Sequence, residues 1–315
     1  MKVTKLIWKN IVWIMLLCLC ILFSLMSPNF LTTNNLITVL RQTAVTGILC
    51  VGLAIVIIGG EIDLSIGRQM GLTGVVCALL ISKGGMNPIL AMVLSLMVNL
   101  GIGLLNGVII TYTGMPAMIA TIGMQFACYG AANLLCGGYP IYGMPPVIKV
   151  LGQGYIGVNP VCVIVLVIVI AIGAFVLTKT HFGRQVFAVG SNAEAAHLSG
   201  INVERTKILL YIISGFAAGL AGLVLMSRVN SGQPTNGANF EMNALIACVV
   251  GGISFAGGAG KISGIVGGML VMSVLANGMA VAGMSEYSQT LVKGIVLIAV
   301  VAADCLSRKR KSKAM

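Results

Sequence analysis

The sequence predicts an all-α polytopic membrane protein, and its composition and its spacing of apolar runs both point there. Of 315 residues, 58% are hydrophobic and 8% charged, with a mean hydropathy of +1.05. A soluble domain carries roughly 25% charged residues. Apolar runs of about 20 residues recur along the chain, the length that crosses a hydrocarbon core about 30 Å thick. A membrane β-barrel would show short alternating segments instead.

Taken in order, about ten spans are expected. The first covers about 10–27. Ile11–Met26 imitates a signal peptide, but Ser27-Pro28-Asn29 follows where a small-x-small cleavage site would stand, so it reads as a retained span. Thr32-Thr33-Asn34-Asn35 turns the chain. Span 2, about 36–58, carries Arg41 and ends in Gly59-Gly60-Glu61-Ile62-Asp63-Leu64-Ser65-Ile66-Gly67. Spans 3, 4 and 5 are expected at about 66–82, 89–110 and 117–136, separated by turns at Asn87-Pro88 and Gly114-Met115-Pro116.

The loop 137–159 is rich in Gly and Pro, which blocks long helices and ladders. Span 6 is expected at about 161–178 and span 7 at about 208–227. Span 8, about 242–256, is interrupted by Gly251-Gly252 and Gly257-Gly258-Ala259-Gly260, and could be re-entrant. Spans 9 and 10 follow at about 262–282 and 287–303. The 41 glycines include groups spaced for close helix contact: Gly101 with Gly103, Gly215 with Gly219 and Gly222, and Gly264 with Gly267 and Gly268.

The formal net charge is +12, from 19 Lys+Arg against 7 Asp+Glu. The cations gather in Lys2, Lys5 and Lys9, in the stretch 179–207, and in the tail Arg308, Lys309, Arg310, Lys311 and Lys313. With both termini inside, only Lys83, Lys149 and Arg228 fall in outer loops, as positive charge marks the cytoplasmic face. That distribution makes nucleic acid the weaker partner for the basic charge and membrane lipid the natural surroundings. The nine cysteines lie mostly in apolar runs, without metal spacing, and read as packing residues.

Thr178–Lys207 is the longest polar interval. Ser191-Asn192-Ala193-Glu194 has the form of a capping box, with Ser191 as the N-cap and Glu194 reaching back. Gly200 suits the C-terminal stop, giving an expected helix of about nine residues. Ala195 and Leu198 share a face at i, i+3 spacing. Such a helix either docks in a groove of a soluble partner or rests on the membrane surface.

Glu61 and Asp63 form a second site. Carboxylates in a membrane domain face a cavity, a partner or water. Asp63 or Ser65 caps span 3, or the pair lines the inner end of a path, or it relays protons; Arg68 offers an ion-pair partner. Polar residues within spans are path candidates: Asn99, Asn106, Thr121, Gln125, Asn133, Asn243 and Asn277. A polar residue such as Asn in a span more often bonds a neighbouring helix. Lys293 sits within span 10, where it snorkels or pairs. No Gly-x-x-x-x-Gly-Lys-Ser/Thr phosphate loop occurs, so this chain does not bind ATP by that device.

Gly183-Arg184, Gly190-Ser191-Asn192, Glu194-Ala195-Ala196 and Leu198-Ser199-Gly200-Ile201 closely resemble the cytoplasmic loop of bacterial ABC sugar-importer permeases of the ribose/xylose/galactoside type. So do Gly59 to Gly67, Pro116-Ala117-Met118-Ile119-Ala120-Thr121-Ile122-Gly123, and Val250-Gly251-Gly252 with Gly257-Gly258-Ala259-Gly260. The resemblance covers about 36–305. Arg68 stands where many relatives have a small polar residue, and Met118 replaces a common aromatic.

The resemblance implies the ten-helix permease fold in a bacterial cell membrane, with both termini cytoplasmic. It divides the chain into a tail and first span (1–35), a permease domain (36–305) with a coupling loop at 179–207, and a basic tail (306–315). It makes Ser191–Ile201, with Gly190, the segment that couples to a cytoplasmic ABC ATPase. ATP and Mg would reside on that partner, with no cofactor in this chain. A second permease subunit, homo- or heteromeric, and an extracytoplasmic sugar-binding protein complete the implied assembly. The residues alone leave two rivals: a proton-coupled carrier using Glu61 and Asp63, and a membrane enzyme using His181 and His197.

Overall fold

A computed structural model describes residues 11–312. Lys2, Lys5, Lys9 and Lys313 of the basic termini lie outside the described residues. The chain is helical almost throughout: α1 (Ile11–Met26), α2 (Thr33–Ile58), α3 (Ile66–Ser82), α4 (Pro88–Thr113), α5 (Ala117–Cys136), α6 (Pro146–Gln153), α7 (Val161–Lys179), α8 (His181–Ser191), α9 (Ala193–Leu198), α10 (Val203–Val229), α11 (Phe240–Val250), α12 (Ile262–Val281) and α13 (Glu286–Ser312). Seven of these, α2, α4, α5, α7, α10, α12 and α13, are long and apolar enough to cross a membrane. The expected spans at 10–27, 66–82 and 242–256 correspond to the shorter apolar helices α1, α3 and α11.

Two helices form the centre. α2 has 26 residues, roughly 39 Å of helix, and is the most buried of the long spans. α10 lies beside it and packs on α2, α3 and α4. α5 covers α3 on one flank; α7, α11 and α12 cover α2 on the other, with α1 against α12. The α4–α10 crossing is close because Gly103 lies on the backbone of Tyr211 and Ile212, and Gly215 lies on that of Asn99. The small residues flagged for close approach therefore serve contacts within the chain, although Gly101 faces open space.

Two interruptions break the pattern. α2 ends at Gly59-Gly60, and a non-helical, largely buried segment, 61–65, re-enters the bundle before α3 starts. α11 is only 11 residues, about 17 Å, and stops at Gly251-Gly252, well short of the expected 256. Both ends close in the same way: Gly60 N donates to Ile57 O and Glu61 N to Val56 O, while Gly252 N donates to Val249 O and Ile253 N to Cys248 O. Gly60 and Gly252 take the left-handed φ that this closure requires.

The loop 137–159 holds the eight-residue α6, opened by Pro146, and only two-residue strands. β1 (Ile141–Tyr142) pairs antiparallel with β4 (Ser231–Gly232), tying this loop to 230–239, while β2 (Tyr155–Ile156) pairs with β3 (Asn159–Pro160).

Candidate functional site

The polar stretch 178–207 is more ordered than its composition suggests. α8 occupies 181–191, a helix absent from the sequence expectation. Thr180 caps it, its side chain accepting from Gly183 N at 3.1 Å. Gly183, Val186 and Val189 face inward at helical spacing. Because α8 runs through Ser191, that residue cannot open the next helix; its Oγ donates to Phe187 O instead. The capping box is thus displaced by one residue. Asn192 is the N-cap of α9, its Oδ1 accepting from Ala195 N at 3.0 Å.

α9 has six residues where about nine were expected. Gly200 does end it, with φ +82° and its N donating to His197 O, and Ile201 N reaches Ala196 O. Ala196 points into the protein. Glu194, Ala195 and Leu198 face outward, and Leu198 is 82% exposed. His197 is exposed, and His181 takes a bond from Arg184 Nη2 at 2.8 Å.

The C-terminal end of α8, which leads into α9, is anchored to the bundle through glycines. Gly258 N donates to Ile58 O at 2.8 Å. Gly190 is wedged there: a Cβ on it would collide with Ile58 O and with Gly258 N. Gly60 rests on Gly190, and Gly257 on both. Three motifs far apart in sequence, 59–67, 190–201 and 257–260, thus converge at one end of the bundle.

Glu61 and Asp63 lie just inside that junction. Glu61 Oε1 pairs with Lys207 Nζ at 2.6 Å, and Tyr211 Oη donates to its Oε2 at 3.1 Å. Arg68, the expected partner, points elsewhere; one turn into α3, it stacks over the Tyr129 ring of α5 with 4.3 Å to the centroid. Lys207 takes its place because α10 begins beside the re-entrant segment.

Asp63 is fully buried. Its Oδ1 accepts from Ser65 N at 3.0 Å and from Ser65 Oγ, and its Oδ2 from Ser214 Oγ at 2.7 Å. Ser65 is the residue before α3 but makes no side-chain cap. Its Oγ instead accepts from Gln69 Nε2 at 2.7 Å and from Asn106 Nδ2 at 3.0 Å. One buried network therefore joins the re-entrant segment to α3, α4 and α10.

The remaining path candidates divide. Asn99 Nδ2 donates to Thr73 Oγ1, Thr121 Oγ1 to Ala117 O, and Asn133 Nδ2 to Tyr129 O. Asn277 and Asn35 exchange amide bonds at 2.9 Å. Gln125 Nε2 donates at 3.1 Å to Glu241 Oε1. Glu241 is buried in the first turn of α11, packed on Gly67. It lies one residue before the expected span at 242–256, and an acidic residue opening an apolar run was the signal that could have exposed it. Asn243 alone of the seven lines a cavity of about 690 Å³ between α2, α11, α12 and α13.

A bundle of apolar helices with broken segments and a buried polar interior is the architecture of a polytopic transport permease. The profile of the family described as branched-chain amino acid transport system / permease component matches residues 35–301, and the chain belongs to this family. It is 38% identical to the ribose import permease protein of Bacillus subtilis over 92% of this chain and 90% of that one. It is 34% identical to the galactose/methyl galactoside import permease protein of Haemophilus influenzae, covering 98% of each. With the xylose transport system permease protein of Escherichia coli it shares 32% identity over 89% of this chain and 87% of the other. No solved structure matches it. The resemblance drawn from the four motifs is borne out, and the chain is a membrane transport permease.

Proposed function

We propose that this chain is the membrane subunit of an ATP-driven importer for a monosaccharide or a related small polar solute. The observation that carries this reading is the six-residue α9. It offers Ala195 and Leu198 outward while Gly190 behind it locks onto the ends of α2 and the 251–261 segment. An exposed leucine beside a small alanine, on a capped helix, suits a groove on a soluble protein.

In this reading Gly190, Ser191, Asn192, Glu194, Ala195, Ala196, Leu198, Gly200 and Ile201 form the segment that receives an ABC ATPase, which holds ATP and Mg. The three shorter apolar helices complete about ten spans when assembled beside a second permease subunit. Both termini and α9 lie in the cytoplasm, where the cations of 179–207 satisfy the positive-inside rule. A binding protein delivers solute to the opposite face, formed by 137–159 and 230–239. Glu61, Asp63, Ser65 and Asn106 hold the re-entrant segment at the inner end of the path. Asn99 and Gln125 bond across to neighbouring helices around it, while Thr121 and Asn133 bond carbonyls of their own helix.

Reconstitution with the ATPase and binding protein tests the reading. Uptake of D-ribose, D-galactose or D-xylose should require ATP and both partners, and should survive collapse of the proton gradient. Uptake by the chain alone that vanishes with that gradient and ignores ATP would contradict it.

A further inference from the structure

We propose that the cavity between α2, α11, α12 and α13 is a solute-binding site within the permease, built for a neutral polyhydroxylated ring. This rests on the importer reading given above. The polar side chains of the membrane domain fall into two sets. Those buried at helix crossings, such as Asn99, Asn106 and Asn277, are bonded within the chain. Those on the cavity wall are different. Gln42, Thr46, Asn239, Asn243, Ser273 and Lys293 all line it, and among the described residues none of these side chains has a hydrogen-bond partner in the chain. Polar groups at membrane depth persist where they pair or line a water-filled space. Six such groups on one wall mark a surface that is meant to be wet.

The chemistry of the wall selects the ligand. Amides and hydroxyls both donate and accept, as sugar hydroxyls do, so each can bond a hydroxyl in either sense. Phe240 adds one aromatic surface for the apolar face of a ring. Arg228 and Lys293 share the wall with Glu286, so it carries charge of both signs, and most of its polar side chains are uncharged. A volume of about 690 Å³ lies within the range of small-molecule sites. The position also fits. Gln42 lies in the half of α2 away from the Ile58 end that contacts Gly190, and Thr46 lies at the helix midpoint, so the cavity is set apart from the Gly190 junction along α2.

The test uses the complete transporter in proteoliposomes, with D-ribose, D-galactose and D-xylose as probes. Asn243→Leu should lower the uptake rate of the transported sugar roughly tenfold, by removing an amide that both donates and accepts. Stimulation of ATP hydrolysis by the loaded binding protein should persist. Ser273→Ala and Thr46→Val remove one hydroxyl each at nearly constant volume, and give smaller losses of the same kind if Asn243→Leu fails to insert. In a second arm, Thr46→Cys is treated with a membrane-impermeant thiol reagent and its modification is quantified at that residue. The sugar should slow modification. Wild-type uptake in all three variants, or modification indifferent to sugar, reduces the cavity to a water-filled vestibule and overturns the site while leaving the importer reading intact. Failure of the wild-type transporter to move any of the three sugars overturns the monosaccharide reading and the site together.

Discussion

Gly190 is the residue on which the junction of α2, α8 and the 257–260 turn depends. Its Cα sits where any side chain would strike Ile58 O and Gly258 N, so Gly190→Ala should force the α2 end and the 257–260 turn apart. The expected loss is about 2–3 kcal/mol, read as a lowered unfolding midpoint in detergent. Gly101→Ala is the contrast. A Cβ there meets open space, and the variant should be unchanged or up to about 1 kcal/mol more stable. The ion pair beside the junction is partly shielded, with exposures of 28% for Lys207 and 10% for Glu61. It belongs between the exposed and the buried cases, so Glu61→Gln and Lys207→Met should each cost about 1–2 kcal/mol. The double variant should cost less than the two losses added together by about 1 kcal/mol. Simple additivity would show that the pair does not act as a unit.

At the scale of elements, legibility followed hydrophobic contrast. α5 was placed at its observed limits, and α3 likewise, because apolar runs stopped at Gly, Pro or charged residues. α8 was missed because it is a polar helix on the membrane rim, whose only apolar signal is Val186 and Val189 backed by Phe182 and Phe187. That omission shifted the N-cap of α9 from Asn192 to Ser191. The Lys207–Glu61 bond was not legible, and of the cavity wall only Asn243 and Lys293 stood out, since each feature joins helices that only tertiary packing brings together. The cap has a direct check. Asn192→Ala should speed hydrogen exchange at the Ala195 amide by the equivalent of about 1 kcal/mol, while Ser191→Ala should change it little. The reverse order would restore the capping box expected from Ser191-x-x-Glu194.

Over the whole molecule, a chain with few charges and two broken segments is organised around one vertical line. α9 and the glycine junction stand at one end, the Asp63 network inside them, and the polar cavity at the far end. That layout predicts sidedness. Thr235→Cys, at an exposed position in the loop 230–239, should react with an impermeant maleimide in intact cells, and Ser199→Cys only after the membrane is opened. The central claim is that α9 receives work from an ATPase through its exposed face. Leu198→Glu tests it most directly, because Leu198 contributes almost nothing to the core and its loss should not disturb insertion. In the reconstituted complex, uptake should fall at least roughly tenfold, and ATP hydrolysis should no longer respond to the loaded binding protein. Uptake and solute-stimulated hydrolysis equal to those of the unmodified chain would contradict the account.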